Sequence, residues 1–274
     1  MAIYTRTQVY ERLSRRQAQI AVTRGALVAA GRWFADPGTD AKTLSALRLG
    51  ARPTCLTAAE HHGLWVPPHR GTHVMVRRPP EAATWPRDVI THGYLRRWPE
   101  VGAVASVPLL LEHASRCVEP LDLGILVDSA LHQGLLTETE VESLARVAPH
   151  RAQPVLSRAT GLAESGTESK VRLFFALKGV HVEVQKKFDG VGRVDLLVGR
   201  RWIIELDSRA HHTGEDVYEY DRGRDLTSLD GGYITSRITY KMVFVEWGAT
   251  SQTLTSILRS GQHLIDPRRW QGRG

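Results

Sequence analysis

Cysteine is scarce in this chain, which has only Cys55 and Cys117 among its 274 residues. The two cysteines are far apart and belong to no CxxC or Cys/His ligand pattern, so we expect neither a disulfide framework nor a structural zinc ion. The histidines in the middle of the chain match no ligand spacing either, and we predict structural roles and no metal site for His61, His62, His69, His73 and His92.

Long apolar runs are absent as well. The most apolar stretch, residues 101–111, is too short to span a bilayer and contains Pro108. Residues 1–6 lack the apolar centre of a signal peptide. We therefore expect a protein of the reducing cytoplasm.

Acidic residues are fewer than basic ones, at 29 against 36, which gives a net charge of +7 and a pI near 9.7. A basic chain favours a polyanionic partner, and nucleic acid fits better than an acidic protein surface. The hydrophobic content of 42% is enough for two modest domains or one large domain.

The most informative stretch is a predicted β-hairpin. Two runs rich in β-branched and aliphatic residues, 194–198 and 202–206, flank the short basic segment Gly199, Arg200 and Arg201. Such runs around a glycine-containing turn are typical of two antiparallel strands.

The length of the turn decides where the hairpin carboxylates lie. A three-residue loop would put Asp195 opposite Glu205 and Arg193 opposite Asp207, with all four side chains on one face. A two-residue loop would instead pair Asp195 with Ile204 and send Glu205 to the other face. The acid cluster is expected only with the longer loop.

Several carboxylates inside an apolar hairpin are costly, because like charges and burial both disfavour their ionisation. Another charged group must offset this cost. Oxygen ligands at this spacing suit a hard cation such as Mg²⁺ or Mn²⁺, and a basic chain that still gathers acids suggests a metal acting on phosphate. The alternative is a solvated hairpin face with an ion pair between Arg193 and Asp207.

The carboxyl-terminal part, residues 163–274, resembles the PD-(D/E)XK nuclease superfamily, in particular its branch similar to very-short-patch repair endonucleases. The segments that carry the resemblance are Glu164-Ser165-Gly-Thr-Glu168, Gln185, Arg193-Val-Asp195, Ile204-Glu205-Leu-Asp207, His211-His212, Asp221-Arg-Gly-Arg224-Asp225, Gly232-Tyr233 and Arg237. Periodicity alone predicts the order αβββαβ: helix 167–177, strand 181–188, the hairpin, helix 217–229, strand 233–240 and a closing helix 254–258. The order matches the restriction-endonuclease-like core of that superfamily.

The resemblance implies roles for the acids. Asp195 and Glu205 would ligate Mg²⁺ or Mn²⁺, and the carbonyl of Leu206 is a candidate third ligand. Gln185 and Glu168 join the catalytic set, with Glu168 binding a second ion or orienting water. Glu168 is equally explained as a first-turn acid that the helix dipole stabilises.

The third catalytic position of the family is commonly lysine, and here it is Asp207. An aspartate accepts protons or binds metal but does not stabilise anionic charge. A downstream histidine would then serve as general acid or base, His212 by spacing and His211 as the alternate. The alternative is that His211 and His212 are surface residues at a strand end without a catalytic role.

Basic residues around the hairpin are predicted to contact the nucleic-acid backbone. Arg224 and Arg237 lie near the phosphate by resemblance, or form structural ion pairs with Asp221 and Asp225. The remaining predicted contacts are Lys186, Lys187, Arg193, Arg200, Arg201 and Arg209.

The amino-terminal residues 1–52 are predicted to form a winged helix-turn-helix, because two short helices and a small β-ribbon follow one another between residues 4 and 35. The alternative is a solvated basic face on a helical hairpin. The predicted phosphate contacts are Arg6, Arg12, Arg15, Arg16, Arg24 and Arg32. Thr7-Gln-Val, residues 25–35 and residues 56–65 resemble the amino-terminal region of AbiEi-type antitoxins and regulators.

Residues 53–150 are predicted to form a mixed α/β middle region. It has a helix at 57–64, strands at 73–76 and 89–92, and helices at 109–118, 121–133 and 141–147. Residues 149–163 have the character of a linker. The whole chain is thus predicted to be an α+β protein.

These patterns predict a metal-dependent DNA endonuclease or nickase, in phage defence or a toxin–antitoxin-like system. The alternative is a non-catalytic DNA-binding regulator or antitoxin with a degenerate nuclease domain, and RNA is a third candidate substrate. Besides DNA, the candidate partners are a cognate toxin or defence protein and a second copy of the chain.

Overall fold

The computed structural model describes residues 2–78, 85–94, 98–188, 192–207 and 226–267. The chain divides into two compact units, Met1–Gln153 and Pro154–Gly274. The boundary falls inside the segment predicted as a linker. Both units combine helices with small sheets, so the α+β class is confirmed.

The first unit begins with a small antiparallel sheet in the order β1-β3-β2 and three helices. Its elements are β1 Ile3–Thr5, α1 Arg6–Tyr10, α2 Arg15–Thr23, β2 Val28–Ala30, β3 Trp33–Ala35 and α3 Ala41–Arg48. Helices α1 and α2 begin at capping boxes formed by Thr5 with Gln8 and Ser14 with Gln17. The predicted order of two short helices and a β-ribbon is present.

A second sheet follows in the order β4-β5-β6, with β5 antiparallel to β4 and parallel to β6. The elements are β4 Arg52–Pro53, α4 Cys55–His61, β5 Thr72–Val76, β6 Val89–Tyr94, α5 Val107–Cys117, α6 Pro120–His132 and α7 Glu138–Val147. Helix α4 ends earlier than residue 64, the predicted end. Gly63 adopts φ +72° and the N–H of Leu64 bonds back to the carbonyl of Ala59, which closes the helix.

The second unit is built on a four-stranded sheet in the order β10-β9-β8-β7. Strands β7 to β9 are antiparallel, and β10 is parallel to β9. The elements, after α8 Gln153–Leu156 at the unit boundary, are α9 Gly166–Leu177, β7 Val182–Phe188, β8 Gly192–Val198, β9 Trp202–Asp207, β10 Ile234–Thr239, α10 Tyr240–Phe244 and α11 Trp247–Arg259. Residues 226–230 are helical.

The core of this unit lies between α9 and one face of the sheet. Val171 and Phe175 of α9 pack with Leu196, Trp202 and Ile204 of the hairpin strands. The ring of Phe175 meets that of Trp202 edge to face, with centroids 5.4 Å apart. This packing fixes the helix that carries Glu168 against the strands that carry the hairpin acids.

The turn of the hairpin has the longer of the two predicted lengths. Val198 pairs with Trp202, so Gly199, Arg200 and Arg201 form a three-residue loop. Gly199 has φ +65°, and a Cβ at this position would come within 2.5 Å of the carbonyl oxygen of His263. Glycine is therefore required both by the left-handed backbone and by the close approach of another chain segment.

Two predicted boundaries at the end of the chain are wrong. The last strand stops at Thr239 rather than Tyr240, because the Thr239 side chain accepts a hydrogen bond from the N–H of Met242 and caps α10. The closing helix is Trp247–Arg259, much longer than residues 254–258. Of the predicted helix 217–229, only residues 226–229 lie within the described chain. None of the described helices combines the length and apolarity needed to cross a membrane.

Candidate functional site: acids at the divergence of a hairpin

Asp195 lies where the two hairpin strands stop pairing through their backbones. The regular pairs extend from Val198 with Trp202 to Leu196 with Ile204. One residue further, a side-chain oxygen of Asp195, Oδ2, accepts a hydrogen bond from the N–H of Leu206 at 2.7 Å. The half-buried carboxylate thus takes the place of a backbone acceptor and is held in a fixed position.

The alternation of side chains between the two faces of β8 changes at Asp195. Leu196 packs in the core under α9, whereas Val194 packs on the other side of the sheet with Leu197 and Ile203. In a regular strand, Val194 and Leu196 would share a face. The predicted placement of the side chains from Arg193 onward assumed that successive residues of β8 point to alternate faces. This assumption is wrong, because Val194 and Leu196 lie on opposite faces.

Across the sheet, Gln185 shows the same disturbance in β7. Val184 pairs with Leu196 and Lys186 pairs with Val194, so Gln185 is the residue opposite Asp195. Its φ is +53°, and Gln185 and Cys55 are the two non-glycine residues with positive φ among the described residues. A bulky residue in this region costs about 1–2 kcal/mol, and such strain is concentrated at functional sites.

Glu168 is buried in the first turn of α9, with 6% of its surface exposed. It accepts hydrogen bonds from the N–H of Glu164 at 3.0 Å, from Ser165 Oγ at 2.8 Å and from Gln185 Nε2 at 2.8 Å. Burial raises the pKa of Glu168, the nearby charge of Asp195 adds to the rise, and the three hydrogen bonds oppose it. The carboxyl therefore holds its proton more tightly than a solvated glutamate.

The side-chain amide of Gln185 connects the two acids. Its Nε2 lies 2.8 Å from Glu168 Oε2 and 3.5 Å from Asp195 Oδ1. Its oxygen, Oε1, is buried and has no hydrogen-bond partner within the described part of the chain. A buried acceptor of this kind is costly unless a donor or a cation meets it.

Glu205 and Asp207 occupy the continuation of β9. The backbone pairs of the hairpin end with Leu196 and Ile204, so Asp195 and Glu205 are the next residues on the two strands. On the other side of β9, Glu205 pairs with Arg237 and Asp207 pairs with Thr239. Each of the four strands therefore contributes one residue to this part of the sheet: Gln185, Asp195, Glu205 and Arg237.

Arg201 and Arg193 are predicted nucleic-acid contacts that have protein partners. Arg201 is only 7% exposed, and its guanidinium donates to the carbonyl oxygen and to the side-chain oxygen of Gln262. Its prediction as a phosphate contact is wrong, because the loop residue is buried against a distant segment of the chain. The exposed Arg193 forms two bonds to the carboxylate of Glu164, at 2.9 and 3.1 Å.

Other predicted basic contacts lie at the surface. Lys187, Arg200 and Arg237 are exposed in the second unit. In the first unit, Arg15 and Arg16 are exposed on α2 and Arg24 is exposed at its carboxyl end. Six predicted residues of the second unit lie outside the described part of the chain: Arg209, His211, His212, Asp221, Arg224 and Asp225.

A group of ligand side chains that sequence analysis missed lies in the first unit. One ligand atom from each of Cys55, His73, His92 and Cys117 lies within 4.8 Å of the others, and within the described ranges no set of three acids converges as closely. The sequence predicts structural roles and no metal site for these histidines, but the fold places His73 and His92 beside the two cysteines. Their spacing gave no motif because each ligand comes from a different element, and only their residue types pointed to a metal.

Comparison of the chain with protein-family models, with curated proteins and with solved structures finds no match. The resemblance to PD-(D/E)XK nucleases and to AbiEi-type regulators accordingly stays a prediction that the residues themselves carry.

Proposed function

We propose that the chain binds DNA and that its second unit hydrolyses phosphodiester bonds with the aid of Mg²⁺ or Mn²⁺. The observation that carries the proposal is the oxygen-rich cluster of Glu168, Gln185 and Asp195, in which the buried Oε1 of Gln185 has no partner in the described chain. Carboxylate and amide oxygens are the ligands that hard divalent cations prefer.

The proposed metal ligands are Asp195 and Glu205, together with the main-chain oxygen of Leu206. A bound Mg²⁺ would neutralise charge that develops on the phosphate. Asp195 is suited to ligation because the N–H of Leu206 fixes one carboxylate oxygen, at 2.7 Å, and the other oxygen lies on the side of Gln185. A ligand that is held before the metal arrives loses little freedom on binding.

Glu168 is proposed to position the attacking water and to accept its proton. Its raised pKa brings the carboxyl closer to the range in which a general base works. Gln185 holds Glu168 toward Asp195 through its amide, so Gln185 acts as a positioning residue. The leaving oxygen needs a proton donor, and His212 is the proposed residue for that step.

The first unit is proposed to bind the DNA backbone as a winged helix-turn-helix. The net charge of +7 supports a polyanionic partner. The exposed Arg15 and Arg16 on α2 and Arg32 beside the β2–β3 turn supply the positive charge. The guanidinium of Arg32 lies 5.1 Å from the ring centre of Trp33, which limits its freedom.

A plasmid-nicking assay with the full chain tests the proposed activity. Supercoiled plasmid is incubated with the chain in Mg²⁺, in Mn²⁺ and in chelator, and Asp195→Asn is compared with Glu183→Gln. Glu183 lies on the same strand as Gln185 but forms only a surface pair with Lys186. We expect metal-dependent cuts by the wild type and by Glu183→Gln, and none by Asp195→Asn.

A non-catalytic DNA-binding regulator is the second candidate function. Two observations favour it. Among the described residues, no three carboxylates bring their oxygens together. Asp207 also stands where the nucleases that the chain resembles commonly have lysine. This function predicts that wild type and Asp195→Asn bind DNA equally well and that neither cuts it in any metal.

A further inference from the structure

The geometry points to a structural zinc site in the first unit, formed by Cys55, His73, His92 and Cys117. The four ligand atoms lie within 4.8 Å of one another. His73 Nδ1 is 3.0 Å from His92 Nε2, and Cys117 Sγ is 3.7 Å from His73 Nδ1. Zinc bound tetrahedrally to two imidazoles and two thiolates has N···N edges of about 3.3 Å and S···N edges of about 3.6 Å. Two edges of the cluster are thus close to those of the coordination shell, and the remaining ligand atoms, which lie within 4.8 Å, would move closer when zinc binds.

The four ligands come from four separate elements that the fold brings together. Cys55 is the first residue of α4, His73 lies in β5, His92 lies in the neighbouring parallel strand β6, and Cys117 is the last residue of α5. An ion bound to all four would therefore tie two strands to two helices. Such a site contributes to folding rather than to chemistry, because four protein ligands leave no open position for a substrate.

Hydrogen bonds hold Cys55 and His73 next to each other. The N–H of Thr54, directly before Cys55, donates to the carbonyl of His73 at 3.0 Å. The N–H of His73 donates to Oγ1 of Thr57 in α4 at 2.7 Å. The backbone of Cys55 is left-handed, with φ +47°, a conformation that a cysteine adopts only when its surroundings impose it. The local structure thus directs the thiol toward the histidine.

The surroundings of the ligands support a metal. The ring of His113 stacks on that of His92 with centroids 5.9 Å apart, and its Nδ1 is 2.6 Å from Thr54 Oγ1. Cys55 and His73 are buried, whereas Cys117 is exposed. The stacked ring of His113, itself held by Thr54, limits the rotation of the His92 ring, and the exposed thiol offers an entry path.

Zinc suits this donor set better than the metals of the second unit. Two thiolates and two imidazoles in a tetrahedron favour zinc, whereas Mg²⁺ and Mn²⁺ prefer oxygen ligands. When Zn²⁺ binds, each thiol releases its proton to solvent and the sulfur donates an electron pair to the metal. No oxidation or reduction accompanies the step.

Metal analysis of the full chain tests the proposal. The chain is purified without chelator, and its zinc content is measured by plasma mass spectrometry. We expect one zinc per chain in the wild type and its loss in His92→Gln and in Cys117→Ser, whose thiol lies at the exposed edge of the cluster. His69→Gln is the matched control. The ring of His69 contacts the ring of His73, but its Nε2 is bonded to Glu60 and it is not a proposed ligand. The zinc should therefore remain in this variant.

The variants could lose zinc because they fail to fold, so a spectroscopic measurement on the wild type provides an independent test. The metal-free wild type is titrated with Co²⁺, and tetrahedral thiolate coordination predicts intense visible bands and a sulfur-to-cobalt charge-transfer band, both removed by a stoichiometric amount of zinc. A wild-type chain with no zinc and no such bands overturns the proposal. So does a disulfide between Cys55 and Cys117 in the freshly purified, metal-free chain, or a different metal in the site.

Discussion

Asp195 accepts a hydrogen bond from the N–H of Leu206 at 2.7 Å, at the point where the backbone pairing of the hairpin ends. The carboxylate therefore serves the structure as well as the proposed chemistry, and its removal leaves a backbone donor without a partner. Asparagine retains an oxygen that can accept this bond, and alanine does not.

Asp195→Ala should consequently be less stable than Asp195→Asn. An unsatisfied donor in a partly buried position costs about 1–3 kcal/mol of unfolding free energy. Urea denaturation of the two metal-free variants measures the difference. Equal stabilities would show that the bond between Asp195 and Leu206 contributes nothing to the hairpin.

The positive φ of Gln185 reverses the order of stability that we expect for its glycine and alanine variants. Both substitutions remove the amide that bonds Glu168, but only alanine retains the strain of a φ of +53°. Gln185→Gly should therefore be more stable than Gln185→Ala by about 1–2 kcal/mol, although glycine normally weakens a strand.

Thermal unfolding of the two Gln185 variants gives this difference directly. Lys186→Gly and Lys186→Ala provide the matched pair, because Lys186 lies on the same strand and is not among the positive-φ residues. There the ordinary order should hold, with alanine more stable. If alanine is also the more stable at Gln185, the strained backbone is not a property of the protein in solution.

The pH dependence of stability should report on Glu168. Because burial raises its pKa in the folded state, the folded protein holds this proton more tightly than the unfolded chain does. The resulting stabilisation is complete below the ordinary pKa of 4.5 and is lost as the pH rises through the raised folded-state pKa.

Glu168→Gln removes this titration, so the metal-free variant should lose less stability than the wild type above pH 4.5. Urea unfolding at a series of pH values measures the two slopes. Glu183→Gln, at the surface pair with Lys186, should keep the slope of the wild type. Identical slopes in Glu168→Gln and wild type would contradict the raised pKa.

The salt dependence of DNA binding should identify the basic residues of α2 that contact phosphate. Arg15→Ala and Arg16→Ala should each weaken binding to all sequences alike and lower the slope of log affinity against log salt by about 1. Arg146→Ala removes the same charge from the exposed surface of α7, outside the predicted winged helix. An equal loss in Arg146→Ala would show that total charge, rather than α2, governs binding.

Local sequence signals predicted the elements that carry the site. Gly199 between two aliphatic runs marked the hairpin turn but left two lengths open, and the pairing of Val198 with Trp202 selects the longer one. The capping box that Thr137 and Glu140 form at α7 is likewise encoded by residues close in the chain. In these cases the determining residues are neighbours in the chain. Residues separated by three or four positions form a cap or a turn whatever the rest of the protein does.

Features that depend on distant contacts were not predictable in this way. Arg201 is buried because Gln262 lies against the hairpin loop. The faces of β8 exchange at Asp195, the residue whose side chain accepts a bond from Leu206 in the next strand. The cysteines and histidines of the first unit converge through the packing of two strands and two helices, so no spacing rule could find them.

Binding of Mn²⁺ to the full chain, measured by electron paramagnetic resonance of the free ion, tests whether Asp195 and Glu205 hold a hard divalent cation. Oxygen ligands retain Mn²⁺, and the sulfur and nitrogen donors of the first unit do not compete for it. We expect an Mn²⁺ site in the wild type that is lost in Asp195→Asn and in Glu205→Gln and kept in Glu183→Gln. A wild type that binds no Mn²⁺, or variants at both acids that bind it as the wild type does, would contradict the account.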